Sequence, residues 1–171
     1  VKAPETDFTV TVDALLDKVT DRTRILYIAN PNNPTGTMIA KDEMTRLRQG
    51  LRDDILLVID AAYAEYVTRN DYSAGVELVD AGENVVMTRT FSKIYALGGV
   101  RLGWAYCPEA VADVLNRIRP PFNVTSAAQG AGIAAVNDVE FLTRSRDHNT
   151  AWLTWLSDRL AEAGLDVVPS I

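Results

Sequence analysis

The sequence predicts an α/β fold built around a largely parallel β-sheet. Three short runs rich in β-branched and aliphatic residues, at 24–29, 55–60 and 84–90, are typical of buried strands. An amphipathic stretch separates the first two runs, and this strand–helix–strand order favours parallel strands joined by a helical crossover. Each run also ends in polar residues, at the edge where open α/β sheets bind their ligands.

The stretch between the first two strands, "KDEMTRLRQGLRD" at 41–53, predicts a helix. Its residues Met44, Leu47 and Leu51 recur at helical spacing and form one apolar face. A fourth apolar run, "RLGWAYC" at 101–107, predicts another strand. The connection before it is too short for a helical crossover, so we expect this strand to lie antiparallel to its neighbour or elsewhere in the sheet.

The remainder of the chain is predicted to be helical. Helices are expected over 109–118, over the Ala- and Gly-rich stretch 125–136, which should pack closely, and over 140–164, which Gly164 ends. We attribute a stripe of large apolar residues on the last helix to core and interdomain packing rather than to an aromatic binding site. The stripe consists of Phe141, Trp152, Trp155, Leu156 and Leu160.

The composition argues against several classes of protein. The 171 residues suffice for about one domain, and a hydrophobic content of 47% is ordinary for a globular protein. A net charge of −6 argues against nucleic-acid binding, and no apolar run approaches the roughly 20 residues of a membrane span. The single Cys107 excludes an internal disulfide and favours the cytoplasm. The single His148, expected on the surface of the last helix, argues against a metal site.

Two details favour a piece of a larger protein over a complete one. The first residue is Val1 rather than methionine. The last residues, "GLDVVPSI", have the pattern of the beginning of a strand. We therefore expect a fragment.

The first strand leads into an unusual loop, "NPNNPTGT" at 30–37. Its two prolines and Gly36 predict a stiff, tight loop, and Asn30, Asn32 and Asn33 offer amide donors from it. The alternative is an Asn-Pro turn that caps the next helix. A plain turn needs only one or two of these residues, so the full string favours a binding loop.

The second strand ends in "DAAYAEY" at 60–66. Asp60 closes an otherwise apolar run, so its carboxylate is either a helix N-cap or the partner of a bound charge. Tyr63 follows about one helical turn later and can point to the same side. Glu65 and Tyr66 are interpreted as structural.

The third strand ends in "RTFSKIYALGGVRLGW" at 89–104. A lysine that is desolvated beside another cation has a lowered pKa and becomes a nucleophile toward aldehydes, which is the hypothesis for Lys93. Arg101 could hold a phosphate through two hydrogen bonds, and Thr90 and Ser92 add hydroxyl donors. The alternative, a surface lysine followed by a loop arginine, would be favoured if this motif stood alone.

The three motifs together describe one ligand. It has a carbonyl for Lys93, a phosphate for the Arg101 region, and a ring that needs both a carboxylate and neutral donors. Pyridoxal 5′-phosphate (PLP) meets all three demands, because PLP enzymes combine a Schiff-base lysine with an acidic partner of the ring nitrogen.

In order and spacing, these motifs resemble those of the fold-type I PLP-dependent aminotransferases, the aspartate aminotransferase superfamily. The likeness is greatest to the histidinol-phosphate aminotransferases, and "PPFNV" at 120–124 also resembles that branch. Many relatives carry Glu where Ala61 stands, a departure that does not touch the cofactor contacts. The resemblance covers essentially the whole chain, which corresponds to the middle of a family member.

The resemblance assigns roles to individual residues. Lys93 would bind PLP as a Schiff base and then act as general base and acid, while Asp60 would pair with the protonated ring nitrogen. Asn33 and Tyr63 would hydrogen-bond the ring 3-oxygen, and the phosphate would be bound by the residues near Arg101. The implied catalytic residues are Lys93, Asp60 and Tyr63, and the implied cofactor-binding residues are Asn33, Asp60, Tyr63, Thr90, Ser92, Lys93 and Arg101.

The resemblance also implies an architecture and a reaction. Residues 1–137 would be part of a PLP-binding large domain, whose mostly parallel sheet has helices on both faces. Residues 138–171 would form a long interdomain helix and the start of a small C-terminal domain that is cut off. The reaction would be transamination of histidinol phosphate with 2-oxoglutarate in histidine biosynthesis. The intact protein would be a cytoplasmic homodimer that binds neither nucleic acid nor membranes, and this chain alone would bind PLP weakly.

Other functions share these motifs. An aromatic or broad-specificity amino-acid aminotransferase would carry the same cofactor residues, and a phosphothreonine-type decarboxylase of the same fold is a more distant alternative. An effector-binding domain of a transcriptional regulator is the alternative outside enzymes. A plain nucleotide-binding domain is disfavoured because neither GxGxxG nor GxxxxGK[ST] follows a strand.

Overall fold

The chain folds as strands and helices that alternate in its first half and as helices alone in its last third. The computed structural model describes residues 1–82 and 84–171. Short 3₁₀ helices also occur at Ala64–Tyr66 and Gly98–Val100. The elements in chain order are β1 (Glu5–Thr6), β2 (Thr9–Val10), α1 (Val12–Leu16), β3 (Ile25–Ala29), α2 (Lys41–Gly50), β4 (Leu56–Asp60), α3 (Val76–Ala81), β5 (Val85–Thr90), β6 (Gly103–Tyr106), α4 (Glu109–Ile118), α5 (Ser126–Asn137) and α6 (Val139–Glu162).

A mixed sheet in the order β3-β4-β5-β6 forms the centre of the fold. The first three strands are parallel, and β6 lies antiparallel to β5. All four predicted strands are confirmed, including the antiparallel placement of the fourth. In register, Ala29 pairs with Asp60, and Asp60 pairs with Thr88. The carboxyl ends of β3, β4 and β5 therefore meet at one edge of the sheet.

The hydrophobic core lies on one face of this sheet. In β3 and β4 alternate residues are buried, such as Leu57 and Ile59 of β4, because successive side chains of a strand point to opposite faces. The apolar face of α2 joins the same core through Met44 and Leu47, as predicted. The helix ends at Gly50 rather than at 53, and Leu51 is buried just beyond it.

The opposite face of the sheet is open at β3. Ile25 and Tyr27 point away from the core, and 61% and 59% of their surfaces are exposed. The predicted α/β fold is therefore confirmed as a mixed sheet whose core face is covered, whereas the second helical layer stays a prediction.

The three predicted C-terminal helices are confirmed as α4, α5 and α6. Their caps account for the boundaries, since the side chains of Thr125 and Asp138 accept hydrogen bonds from the first turns of α5 and α6. Beyond α6, Gly164 adopts a left-handed φ of 81°, and the Leu165 amide donates to the Leu160 carbonyl at 3.1 Å. This is the glycine-ended helix terminus that the sequence predicts.

Two expectations about the C-terminal region differ from the structure. Trp152 and Trp155 of α6 are 52% and 51% exposed, so the stripe is not part of the core of the described chain, and its interdomain role stays a prediction. The expected strand after Gly164 is also wrong, because residues 165–171 form no regular element. Instead this segment returns to the first motif, where the Ile171 amide donates to the Gly36 carbonyl at 3.1 Å.

The single histidine and the single cysteine of the sequence lie outside the buried core. His148 lies exposed on α6, as predicted, with its ring 5.8 Å from that of Trp152. Cys107 is a free, half-buried thiol. Over residues 1–82 and 84–171, the structure contains no helix long and apolar enough to cross a membrane and no cluster of three His, Cys, Asp or Glu residues suited to a metal ion.

Candidate active site

The three motifs meet where the parallel strands end. The Asn33 side-chain amide, after β3, donates to the Tyr63 hydroxyl, after β4, at 2.9 Å. The Lys93 Nζ, after β5, lies 5.0 Å from the centre of the Tyr63 ring. Three side chains separated by up to sixty positions thus form one cluster at this edge.

Only one of the three asparagines in the first loop reaches this cluster. Asn30 is buried, and its side chain donates to the Ile39 carbonyl at 3.0 Å and accepts from the Ile39 amide at 2.7 Å. The Asn32 amide donates to the Thr35 hydroxyl at 2.8 Å. Of the three amide donors that the sequence offers, those of Asn30 and Asn32 are thus used within the loop, whereas that of Asn33 faces the site.

The loop itself has a special backbone, as its proline and glycine content predicts. The Asn30–Pro31 and Asn33–Pro34 peptide bonds are cis. Gly36 adopts a φ of 71°, and a Cβ on it would come 2.0 Å from the Ser170 Oγ. A glycine is required there both by the left-handed backbone and by the close approach of the C-terminal segment.

Asp60 is not the N-cap of a helix, and its pairing with a bound charge, the other alternative, stays a prediction. Its Oδ1 accepts from the Ala62 amide at 3.2 Å, which is the bond of a turn cap. Its Oδ2 accepts from the Tyr27 hydroxyl at 2.8 Å. The turn leads into the 3₁₀ helix Ala64–Tyr66 rather than an α-helix, with Tyr63 at its N-terminus.

Tyr27 is a site residue that the motifs did not reveal. It lies on β3 in register with Val58, and Asp60 is two residues further along β4 on the same face. The available signal was a polar aromatic residue in an otherwise aliphatic strand, "RILYIA". Its partner could not be found without the strand register.

Lys93 is exposed, which corrects the expectation of a desolvated lysine. The neighbouring phenol of Tyr63 raises the pKa of Lys93 instead of lowering it. No second cation contributes to this shift among the groups that act on Lys93. In this structure the side chain is accordingly an ammonium group beside an aromatic ring and a phenol oxygen.

The hydroxyls and the arginine of the third motif lie next to each other. The Arg101 Nη1 donates to the Gly98 carbonyl at 2.8 Å and lies 3.4 Å from the Ser92 Oγ. The Thr90 Oγ1 accepts from the Ser92 amide at 3.0 Å. Arg101 has a φ of 59°, a left-handed backbone that is unusual for a residue other than glycine and that clusters at functional sites.

A largely buried ion pair connects the second and third motifs. The Arg89 Nη2 lies 2.6 Å from the Glu65 Oε1, and 16% and 9% of the two side chains are exposed. The Arg89 guanidinium also lies over the Trp104 ring at 5.7 Å. Glu65 thus has the structural role that was predicted for it, whereas Arg89 was not foreseen.

The comparison with protein families identifies the chain. The family described as "Aminotransferase class I and II" matches residues 1–171, so the chain belongs to this family. Curated relatives include the histidinol-phosphate aminotransferases of Paramagnetospirillum magneticum and Rhodospirillum centenum, which are 65% and 59% identical over the whole chain. The chain covers 47% of each, so it spans about half the length of these relatives.

A solved structure of a histidinol-phosphate aminotransferase has the same fold. The crystal structure of histidinol-phosphate aminotransferase from Sinorhizobium meliloti in complex with pyridoxal-5′-phosphate superimposes with a TM-score of 0.93 at 30% identity. The match covers 99% of this chain and 46% of that one. The strand order and the motif-bearing edge therefore belong to a fold known to carry a PLP enzyme.

Proposed function

We propose that the full-length protein is a PLP-dependent aminotransferase that transfers the amino group of histidinol phosphate to 2-oxoglutarate in histidine biosynthesis. The observation that carries this proposal is the convergence of Asn33, Tyr63 and Lys93 at the carboxyl edge of the sheet. Family membership and the shared name of the similar relatives support the choice of reaction and donor.

The chemistry of the donor set fits PLP. Asp60 offers a carboxylate for the ring nitrogen, and the hydrogen-bonded pair of Asn33 and Tyr63 offers an amide and a phenol for the ring oxygen. Lys93 offers an amine for the carbonyl. Arg101 and the neighbouring hydroxyls of Thr90 and Ser92 offer a cation and neutral groups for the phosphate.

Each residue of the site would have a different role in transamination. PLP, when bound, supplies the electron sink for the electrons released at the substrate carbon. Asp60 would keep a proton on the ring nitrogen because its carboxylate stabilises a positive charge beside it. Lys93 would hold the transferred proton at its Nζ and return it, with the Tyr63 side chain next to it.

We infer a domain arrangement from the same likeness. Residues 1–137 would belong to the large domain with helices on both faces of its sheet, and residues 138–171 would lead to a small C-terminal domain. The intact protein would be a cytoplasmic homodimer with its sites at the subunit interface. The exposed Tyr27 and Trp152 support further cover from the remainder of the protein.

An assay of the full-length protein tests the reaction. With PLP and 2-oxoglutarate, we expect glutamate to form faster from histidinol phosphate than from phenylalanine. Lys93→Ala should lower the rate by at least about 10²-fold, the contribution of a positioned proton-transfer group. Lys41→Ala, which removes an exposed lysine of α2, is the matched control and should leave the rate unchanged. No glutamate from either donor would reject the reaction, and faster turnover of phenylalanine would reject the donor.

A further inference from the structure

We propose that Tyr27 is a positioning residue that fixes the orientation of the Asp60 carboxylate toward the bound ring; this inference rests on the proposed function. The Tyr27 hydroxyl donates to the Asp60 Oδ2 at 2.8 Å across thirty-three positions of sequence. The comparisons assign no role to Tyr27.

The strand register brings the side chains of Tyr27 and Asp60 close together. β3 and β4 are parallel, Tyr27 pairs with Val58, and side chains two residues apart on a strand share a face. Tyr27 and Asp60 are thus diagonal neighbours on adjacent strands, within reach of a long aromatic side chain. A strand is a more rigid platform than a loop, so the hydroxyl is held in a defined place.

Each of the two oxygens of Asp60 accepts a hydrogen bond from a different donor. The Ala62 amide donates to the Oδ1 at 3.2 Å, and Tyr27 donates to the Oδ2. One donor from the turn after β4 and one from the neighbouring strand β3 together restrict rotation of the carboxylate. Each carboxylate oxygen has two lone pairs, so Asp60 can still accept a hydrogen bond from a ring nitrogen.

Apolar packing within the described chain does not explain a tyrosine at this position. Tyr27 points to the open face of the sheet and is 59% exposed, so its ring buries little surface in the described chain. Its hydroxyl nevertheless donates a hydrogen bond to the Asp60 carboxylate. Burial of the hydroxyl, followed by the hydrogen bond to Asp60 and the charge of that group, raises the pKa of Tyr27. The hydroxyl therefore stays protonated as a donor throughout the neutral range.

Tyr27→Phe in the full-length protein tests the inference, because it removes the hydroxyl alone. We expect PLP to bind more weakly, by at most about tenfold, because the freed Asp60 carboxylate must then be ordered when the ring binds, and the full value of one hydrogen bond to a charged group is the upper limit. Tyr106→Phe is the matched control, since that β6 tyrosine also donates to an aspartate, Asp80, away from the site. The control should leave the dissociation constant of PLP and the free energy of unfolding nearly unchanged.

A double-mutant cycle separates positioning from a general structural effect. If Tyr27 acts through Asp60, Tyr27→Phe will not weaken PLP binding further in an Asp60→Asn background. Equal weakening in both backgrounds, or no weakening in either, would overturn the inference while leaving the proposed function intact. A wild-type protein that binds no PLP would overturn the proposed function and the inference with it. If a variant proves less stable than the wild type, its dissociation constant for PLP is measured under conditions where urea unfolding shows both proteins to be fully native.

Discussion

Lys93 lies at the centre of the cluster as an exposed ammonium group beside Tyr63. Without a ligand, its interactions favour the charged form rather than the nucleophilic amine. An attack on a carbonyl therefore requires loss of this proton first. The protonated state is the resting state that the residues of this chain establish.

The phenol of Tyr63 should control the titration of Lys93. The neighbouring phenol raises the pKa of Lys93 above its ordinary 10.5, so this stabilisation of the ammonium form is present below that pH and is lost as the pH rises through the raised value. We predict that Tyr63→Phe lowers the pKa of Lys93 in the cofactor-free full-length protein. The pH dependence of amine modification, followed on the Lys93 peptide, measures it.

A nearby tyrosine provides the control for this titration. Tyr95 is two residues from Lys93 but does not contribute to its shift, so Tyr95→Phe should leave the titration in place. The same Lys93 pKa in the Tyr63→Phe variant and the wild type would contradict the assigned contact.

The sequence was sufficient to identify most residues of the cluster but not their partners. Asn33, Tyr63 and Lys93 could be predicted because polar residues after parallel strands share one edge of a sheet. The inward turn of Asn30 and the contact from Tyr27 could not, because both depend on the register and the path of the backbone. The charge state of Lys93 was mispredicted because its exposure is a property of the folded chain.

At the scale of elements, the Glu65–Arg89 ion pair joins the turn after β4 to the end of β5. Tyr63 lies two residues before Glu65, and Thr90 follows Arg89. The pair therefore holds the second and third motifs at a fixed separation. The ring of Trp104 on β6 also lies against the Arg89 guanidinium.

Removing the charge of Glu65 should lower the free energy of unfolding. Glu65→Gln leaves a largely buried guanidinium without its counter-ion, which destabilises proteins by about 3 kcal/mol or more. Urea unfolding of the full-length protein measures the loss. The matched control is Asp71→Asn, which breaks the exposed pair with Arg69 and should have no measurable effect. Equal stability of Glu65→Gln and the wild type would show that the pair does not join the motifs.

The elements themselves were predictable where the pattern was long or strongly apolar. The strands β3 to β6 and the helices α2, α4, α5 and α6 have clear patterns, and their bounds differ from the prediction by a few residues at most. The short α1 and α3 were missed because five or six residues give no period to detect. The segment 165–171 has the composition of a strand but finds no strand partner in the described chain.

At the scale of the whole molecule, the chain presents a site that is open to solvent. Tyr27 and Lys93 are both exposed, although the Tyr27 hydroxyl contacts Asp60 and the Lys93 Nζ lies beside Tyr63. The chain spans about half the length of its curated relatives. Contacts from the remainder of such a protein would add to those described here.

We predict that the 171-residue chain binds PLP more weakly than the full-length protein. Hydrogen bonds and ion pairs exposed to water contribute less than enclosed ones, so the same residues hold a ligand less tightly in the open site. Equilibrium dialysis of PLP against both proteins measures the difference, with circular dichroism as the control for folding of the chain. Equal affinities would show that the described residues suffice for binding.

The most direct test of the central claim is chemical mapping of Lys93. The full-length protein is incubated with PLP, reduced with borohydride, which traps a carbon–nitrogen double bond, and digested for mass spectrometry. The proposed function predicts a pyridoxyl group on the Nζ of Lys93 and none on the exposed Lys41. An unmodified Lys93 after this treatment would contradict it and leave the cluster of Asn33, Tyr63 and Lys93 without its assigned ligand.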